Sequence, residues 1–428
     1  MKMNKEVVDM ALKAALTLNC KINKKMHFDR KNYFYPDLPK GFQITQMHDP
    51  VGVDGNITIE CDDYEKNVLI HDIHLEEDAA SLDHYYDTSL IDYNRAGVPL
   101  LELVTEPCLS SAEEAVAFLE TMRRIYQYCG VSEADTKKGQ IRCDVNVSIM
   151  DPDATELGTK VEIKNINSFG NVYDAIIYEV KRQSELKDAG RYDEVVQETR
   201  RFDDAKGIGY AMRTKEDAND YRYFPEPDLA PIVLSDEYIE NIKNNLPELP
   251  HIRKERYVKE YKIPEYDAQI LTSSKNTANF FEEATKICNN PKAVSNWIMV
   301  DFTKKLNDDE IEIQNSKVTP ENLAHLVELI DKGTISSKIA KKVFDEMYET
   351  GKDAKKIVED NGMTQMSDEG AIKEIVEKIV AANPKSVEDY KAGKDRAIGF
   401  LVGQVMKETH GKANPGIVNK FLLEILNK

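Results

Sequence analysis

The residues of this sequence best suited to chemistry are carboxylates set in or beside apolar runs. In VPLLELVTEP, from Val98 to Pro107, Glu102 stands inside an otherwise apolar stretch. Burying an ionised carboxylate costs on the order of several kcal/mol unless it is paired or bound to a metal. Glu102 therefore calls for a partner, and a lysine would serve as well as Mg2+. Glu76, Glu77 and Asp78 follow one another near the end of the run from Val68 to Ala80. Three adjacent carboxylates repel unless solvent or a cation spreads them. A third set lies between Gln140 and Ser168, where Asp144, Asn146, Glu162 and Lys164 occupy the polar positions of two alternating segments. Oxygen ligands of this kind suit a hard divalent cation and, with lysine, the positioning of phosphate. Each pattern also serves as a solvated strand face or strand end.

These side chains need strands to hold them. Ile141, Cys143, Val145, Val147 and Ile149 alternate with Arg142, Asp144, Asn146 and Ser148, the period of a strand with one apolar face. After a turn rich in Asp and Pro, Val161 and Ile163 alternate with Lys160, Glu162 and Lys164, so a second strand returns antiparallel with its polar set on the same side. Asp54-Gly55 joins two short alternating runs as a hairpin turn. Residues 5 to 18 place Val7, Val8, Ala11, Leu12, Ala15 and Leu16 on one side of a helix. Another helix is expected from Ser110, as N-cap with Glu113 completing a capping box, through Phe118, Met122 and Ile125. Between them, the segment from Phe28 to Gln46 interleaves Tyr33, Phe34 and Tyr35 with Arg30, Lys31 and Lys40. Such a loop can stack a base or ribose and hold phosphate, or it can anchor itself by burying its rings.

A chain of 428 residues, 41% hydrophobic and 31% charged, is long and apolar enough for two or three domains with their own cores. No apolar run approaches the length of a membrane span, and the N-terminal pattern has no small-residue cleavage site, so a cytoplasmic location without membrane contact is expected. Six scattered cysteines include no CxxC pair, which points to reduced thiols and not to a disulfide framework or zinc site. The net charge of −19 argues against a general nucleic-acid coat protein. It is unevenly spread, however. Residues 332–428 carry 17 Lys+Arg against 15 Asp+Glu, leaving 40 against 61 for residues 1–331. The acid belongs to the front, where it can hold divalent cations, and the lysine-dotted tail can give a weak grip on RNA.

After DYRYFPEPDLAPIVL the pattern turns helical. Residues 244–267 are Pro-punctuated and charged, as in a hinge. Thr319-Pro320 gives an N-cap followed by Pro at the first helical position, leading into Leu323, Leu326, Val327 and Ile330. Ile372, Ile375, Val376, Ile379 and Val380 form a further helical stripe. The expected architecture is α+β: a mainly antiparallel sheet domain over residues 1–240, an all-helical middle over 241–331 and an all-helical tail over 332–428.

FDRKNYFYPDLPKGFQI, HLEEDA, DYNRAGVPLLELVTEP, IRCDVNVSI, GTKVEIKNINSF, QETRRFD and DYRYFPEPDL resemble, in order and spacing, the B subunit of the glutamyl/aspartyl-tRNA amidotransferases, and the resemblance continues through the helical half. It implies a subunit that binds misacylated Glu-tRNA(Gln) or Asp-tRNA(Asn) and uses ATP and Mg2+ to phosphorylate the side-chain carboxylate. Ammonia from a glutaminase A subunit then displaces the phosphate, and a small C subunit straps A to B. On matched motifs it implies Glu77, Glu102, Asp144 and Lys31 as catalytic residues, with Glu77, Glu102, Asp144 and Glu162 as metal ligands. Arg30, Tyr33, Lys40, Asn146, Lys164 and Asn165 would bind ATP or substrate. Lys338, Lys341, Lys342, Arg396, Lys407 and Lys412 would touch tRNA phosphates, with no role for DNA. Family members open with a strand bearing a Glu-x-His pair that this sequence does not show, so a tRNA-binding and assembly subunit without its own chemistry is the competing expectation. A ligase acting on a free amino acid is a third, and would need neither tRNA nor the helical tail.

Overall fold

The computed structural model describes residues 3–214, 221–363, 369–392, 394, 396–409 and 412–427. It divides into two units, residues 1–250 and 251–428.

The first unit is built on two four-stranded sheets. Helix α1 (Lys5–Thr17) leads into short strands β1 (Lys21–Ile22), β2 (Lys25–Met26), β3 (Asp29–Asn32) and β4 (Phe42–Thr45), then the long strands β5 (Gly52–Glu60) and β6 (Glu65–Glu77). Strands β7 (Ser81–Tyr85) and β8 (Thr88–Asp92) form a separate hairpin, and β9 (Pro99–Thr105) follows. The first sheet has the order β1-β5-β6-β9 and is antiparallel throughout. Its apolar face, with Ile57, Ile59, Val68, Ile70, Ile73 and Leu75, packs with Val8, Leu12 and Leu18 of the α1 region and with Phe118, Met122 and Ile125 of α2 (Ala112–Cys129). The other face stays polar.

Helix α2 also contributes Ala112 and Leu119 to the core of the second sheet. That sheet comprises β10 (Cys143–Val147), β11 (Val161–Ile166), β12 (Glu198–Asp203) and β13 (Ile208–Thr214), covered by α3 (Phe169–Asp188). The β10–β11 hairpin pairs Asn146 with Glu162 as the alternation predicts, while β11 and β12 run parallel because α3 lies between them. Two short strands, β14 (Phe224–Pro225) and β15 (Ile232–Val233), pair with β3 and β2 before α4 (Asp236–Asn244).

Two local expectations move. Asp54 is not a hairpin turn; it sits within β5 at φ 53°, and Gly55 beside it has no room for a side chain, since a Cβ would lie 2.4 Å from the Cys20 sulfur. The cap of α2 is Ser111, not Ser110. Its hydroxyl accepts from the Glu114 N–H at 3.1 Å, and Glu114 accepts in turn from the Ser110 N–H at 2.6 Å, a capping box displaced by one residue. Lys66 and Tyr64, both within 2.7 Å of the Glu114 carboxylate, decide between the two serines.

The second unit is helical: α5 (Pro250–Tyr261), α6 (Glu265–Leu271), α7 (Lys275–Cys288), α8 (Pro291–Asn296), α9 (Thr303–Asp308), α10 (Pro320–Asp331), α11 (Ser337–Thr350), α12 (Ala354–Asp360), α13 (Glu369–Ala382), α14 (Pro384–Lys391), α15 (Arg396–Glu408) and α16 (Pro415–Leu426). Thr319 caps α10 ahead of Pro320, as the sequence predicts. Two cores form, one drawing on Tyr257 to Val358 and one on Ile372 to Leu426. The boundary expected at 331/332 falls between α10 and α11, whose Leu326, Val327, Val343 and Phe344 share the first core.

Candidate active site

The polar face of the first sheet carries the site, and a bulge in β6 puts it there. Val68 and Ile70 are buried, and then, past a register shift against β9 between Ile70 and Asp72, Ile73 and Leu75 are. The extra residue changes the phase of the strand. Asp72, His74 and Glu76 thereby leave the core side and share the open face with Glu102, which pairs with His74 across β6 and β9. Glu102 is thus only half-buried; its side chain is 51% exposed, on the wet side of a strand whose Leu101 and Leu103 pack into the core.

His74 lies at the centre of the cluster. Its Nδ1 is 2.6 Å from Asp72, and its Nε2 is 3.6 Å from Glu76 and 3.7 Å from Glu102. Burial alone would lower the imidazole pKa, but hydrogen bonds to Asp72 and Glu76 and the charge of Glu102 outweigh it and raise it to about 9. Glu76 also accepts hydrogen bonds from Thr45 Oγ1 at 3.0 Å and Gln43 Nε2 at 3.3 Å. Burial would lift its carboxyl, yet His74, the charge of Lys31 and the Thr45 hydroxyl hold it below the usual range. Glu102 moves the other way, lifted by loss of solvent and by the neighbouring charge of Glu76. Ligand atoms of His74, Glu76 and Glu102 lie within 4.8 Å of one another, a span one divalent cation can bridge, and no other such group of three occurs among the described residues. Two carboxylate donors fit Mg2+; protonated His74 supplies the compensating charge in their midst.

Aromatic rings stand beside the carboxylates. Tyr33 and Tyr221 meet edge to face at 5.8 Å, Tyr221 and Tyr223 at 5.9 Å, and Lys31 Nζ lies 5.1 Å from the Tyr221 ring centre. Burial pushes the Tyr33 hydroxyl up to about 12, with the charges of Asp37 and Glu76 adding to it. Burial first and then Tyr221, Glu76 and Glu102 act on Tyr223 in the same direction. Backbone bonds tie the two segments together, the Asn32 N–H donating to the Tyr221 carbonyl at 2.9 Å.

The structure brings Glu102, Lys31 and Tyr33 together and adds His74, Glu76, Tyr221 and Tyr223, which sequence reasoning did not assign. Glu77 points elsewhere: its carboxylate accepts from the Ile44 N–H at 2.9 Å and pairs with Lys40 at 2.7 Å. Arg30 is occupied too, held bidentately by the fully buried Glu226 at 2.7 and 2.9 Å, with its guanidinium carbon 4.2 Å from the centre of the Phe42 ring. On the second sheet, Lys164 sits 3.3 Å from both Asp144 and Glu162, and Glu162 also accepts from Thr199 at 2.9 Å. One lysine between two carboxylates leaves this cluster with a net charge of −1. Asn146 is exposed on the same hairpin, and the side chain of Asn165 lies outside the described residues. Glu77, Asp144 and Glu162 therefore do not share a ligand set with Glu102. In the second unit Lys338, Lys341, Lys342, Arg396, Lys407 and Lys412 are all exposed, Lys341 pairing with Asp301 at 3.1 Å.

Residues 1–240 match the family model described as the GatB/GatE catalytic domain, and residues 279–426 match the GatB domain. The chain belongs to the GatB family. Its relatives include the B subunit of the aspartyl/glutamyl-tRNA(Asn/Gln) amidotransferase from Persephonella marina, 52% identical over 99% of this chain and 89% of the relative. The corresponding protein of Caldicellulosiruptor saccharolyticus is 53% identical over 100% and 89%, and that of Thermotoga maritima 51% identical over 99% and 89%. The carboxylate cluster, Lys31 and the three tyrosines all fall within the stretch matched to the GatB/GatE catalytic domain.

Proposed function

We propose that this chain is the component of a tRNA-dependent amidotransferase that activates the side-chain carboxylate of a misacylated tRNA, Glu-tRNA(Gln) or Asp-tRNA(Asn), and completes its amidation. The observation that carries the chemistry is the convergence of Glu76, Glu102 and His74 beside Lys31 and three tyrosines on one open sheet face. The carboxylate oxygen of the substrate attacks the γ-phosphorus of ATP, ADP leaves, and the resulting acyl phosphate is a good acyl donor. Ammonia then attacks the carbonyl, phosphate departs and a proton is lost, leaving the amide.

Phosphoryl transfer between two anions demands positioning and a cation clamp more than a protein nucleophile. Glu76 and Glu102 would hold Mg2+, which would supply charge neutralisation at the phosphates when bound, with His74 ordering the two carboxylates. Gln43 and Thr45 fix the Glu76 carboxylate, and Asp72 fixes the His74 ring. Lys31 places a positive charge against the cluster, and Tyr33, Tyr221 and Tyr223 form a wall that fits a flat or aliphatic group. Ammonia comes from an A subunit with a C subunit bound, and the helical unit holds the tRNA through its exposed lysines. No helix among the described residues is long and apolar enough to cross a membrane, and the reaction belongs in the cytoplasm, on tRNA and not on DNA.

The test is ATP-dependent conversion of Glu-tRNA(Gln) to Gln-tRNA(Gln), and of Asp-tRNA(Asn) to Asn-tRNA(Asn), by this chain assembled with its A and C subunits. Conversion of either is expected. Tight tRNA binding with no conversion and no tRNA-dependent ATP cleavage would make it a binding and assembly subunit instead.

A further inference from the structure

Asp78 ends the sheet face that carries Glu76 and Glu102. Its N–H donates to the Val98 carbonyl at 2.8 Å, so the pairing of β6 with β9 continues just past Glu77. Alternation puts Asp78 on the side of His74 and Glu76, two residues or about 7 Å of strand beyond Glu76. Its carboxylate is buried, and two arginines stand over it, Arg95 Nη2 at 2.9 Å and Arg142 Nη2 at 3.9 Å. Arg95 comes from the turn before β9, which is closed by the Gly97 N–H on the Asp78 carbonyl at 2.9 Å. Arg142 comes from the segment that leads into β10. Arg95 Nη1 joins the two by donating to the Gly139 carbonyl at 3.2 Å. Gly139 takes φ 63°, and a Cβ there would lie 3.3 Å from the same nitrogen.

A structural tie accounts for Arg95, which compensates the buried carboxylate and fastens the turn to the segment between α2 and β10. Arg142 does neither. Its side chain is 67% exposed, its nearest carboxylate is that of Asp78 at 3.9 Å, and no other pairs with it among the described residues. Two guanidiniums against one carboxylate leave a net charge of +1, within residues 1–331, where acids outnumber bases 61 to 40. Like charges held this close repel until an anion lies between them. Their donors are also unspent. Neither arginine, though near, aims an N–H at Asp78 Oδ2, and the bond to Gly139 is the one hydrogen bond of the pair among the described residues. A guanidinium presents its N–H groups as a planar fork that matches two oxygens of a phosphate.

We propose that Arg95 and Arg142 form a phosphate-binding subsite at the end of this face, taking either the phosphate chain of ATP or a backbone phosphate near the 3′ end of the tRNA. This rests on the amidotransferase reading and extends it to two arginines outside the carboxylate cluster. Both substrates bring phosphates to Glu76 and Glu102, and a phosphate clamped about 7 Å along the strand holds its molecule in register with them.

R95Q would strand the buried Asp78 charge and so confuse binding with folding. R142Q removes only an exposed guanidinium, and its thermal midpoint should equal that of the wild type. Amide formation by the complex with A and C subunits is measured against ATP and, in turn, against whichever of Glu-tRNA(Gln) and Asp-tRNA(Asn) the wild type converts. R142Q is expected to raise one of the two KM values about tenfold and leave the other within about twofold. A rise for ATP assigns the subsite to the triphosphate. A rise for the aminoacyl-tRNA, with the salt dependence of tRNA binding flattened by about one, assigns it to the tRNA backbone. R142K keeps the charge without the fork and should recover part of the loss; no recovery would make the guanidinium a packing group and overturn the proposal. Both KM values within about twofold of wild type in R142Q, whatever kcat does, would also overturn it while leaving the amidotransferase reading intact. No conversion by the wild-type complex would overturn both.

Discussion

Arg182 of α3 shows how a buried charge is compensated where that helix meets the second sheet. Its guanidinium grips the fully buried Glu179 at 2.7 and 2.9 Å, with Gln183 at 2.8 Å and Arg200 at 3.7 Å completing the surround. Removing one partner of a buried pair strands the other charge. R182A should therefore lower unfolding free energy by about 3 kcal/mol, read from urea midpoints at constant slope; a loss under about 1 kcal/mol would mean Arg200 suffices. Glu282 makes a pH-dependent contribution. Burial alone would raise its carboxyl, but hydrogen bonds from Arg253, Arg256 and Tyr257 hold it below the ordinary value of 4.5. A carboxylate with a depressed folded pKa binds fewer protons folded than unfolded, so its stabilisation is present above pH 4.5 and fades as pH falls below it. The gap in thermal midpoint between wild type and E282Q should thus be widest near neutral pH and shrink below pH 4.5; a gap independent of pH would refute this. At this scale the sequence was partly legible. Glu102 stood out as a carboxylate among apolar residues and Glu76 as one of three adjacent carboxylates, but His74 did not, and nothing local joined the three, because they become neighbours only through a bulge.

Elements explain that difference. The amphipathic period of α1, the β10–β11 hairpin and the Thr319–Pro320 start of α10 follow from local pattern and appear as expected. A one-residue shift in β6 is different, since it exchanges the faces of every later residue and depends on pairing with β9. Strict alternation from Val68 onward therefore could not say which carboxylates meet. The α2 cap moved for a similar reason: two serines compete locally, and Glu114 reaching Lys66 and Tyr64 settles it. S111A should cost about 1 kcal/mol and S110A clearly less; equal costs would mean the cap is shared. Arg30, Lys40 and Glu77 carry the right chemistry for a phosphate site, yet their charges are taken up by Glu226 and by each other. Residue type announced chemistry, and partner choice, made at long range, was not written in the local sequence.

At the scale of the whole molecule, the uneven charge of the chain matches a division of work, with an acidic sheet unit suited to a divalent cation and helices with exposed lysines suited to RNA. The central claim is that Glu76 and Glu102 act as one unit in activating the substrate carboxylate. It is tested most directly by amide formation and tRNA-dependent ATP cleavage with E76Q, E102Q and the double variant in the assembled complex, with tRNA binding measured alongside. Each single change should lower turnover by at least a hundredfold while leaving tRNA affinity within about twofold, and the double should be little worse than either, as expected for groups that serve one function. Near-normal turnover in E76Q or E102Q would contradict the account and move the chemistry away from this face of the sheet.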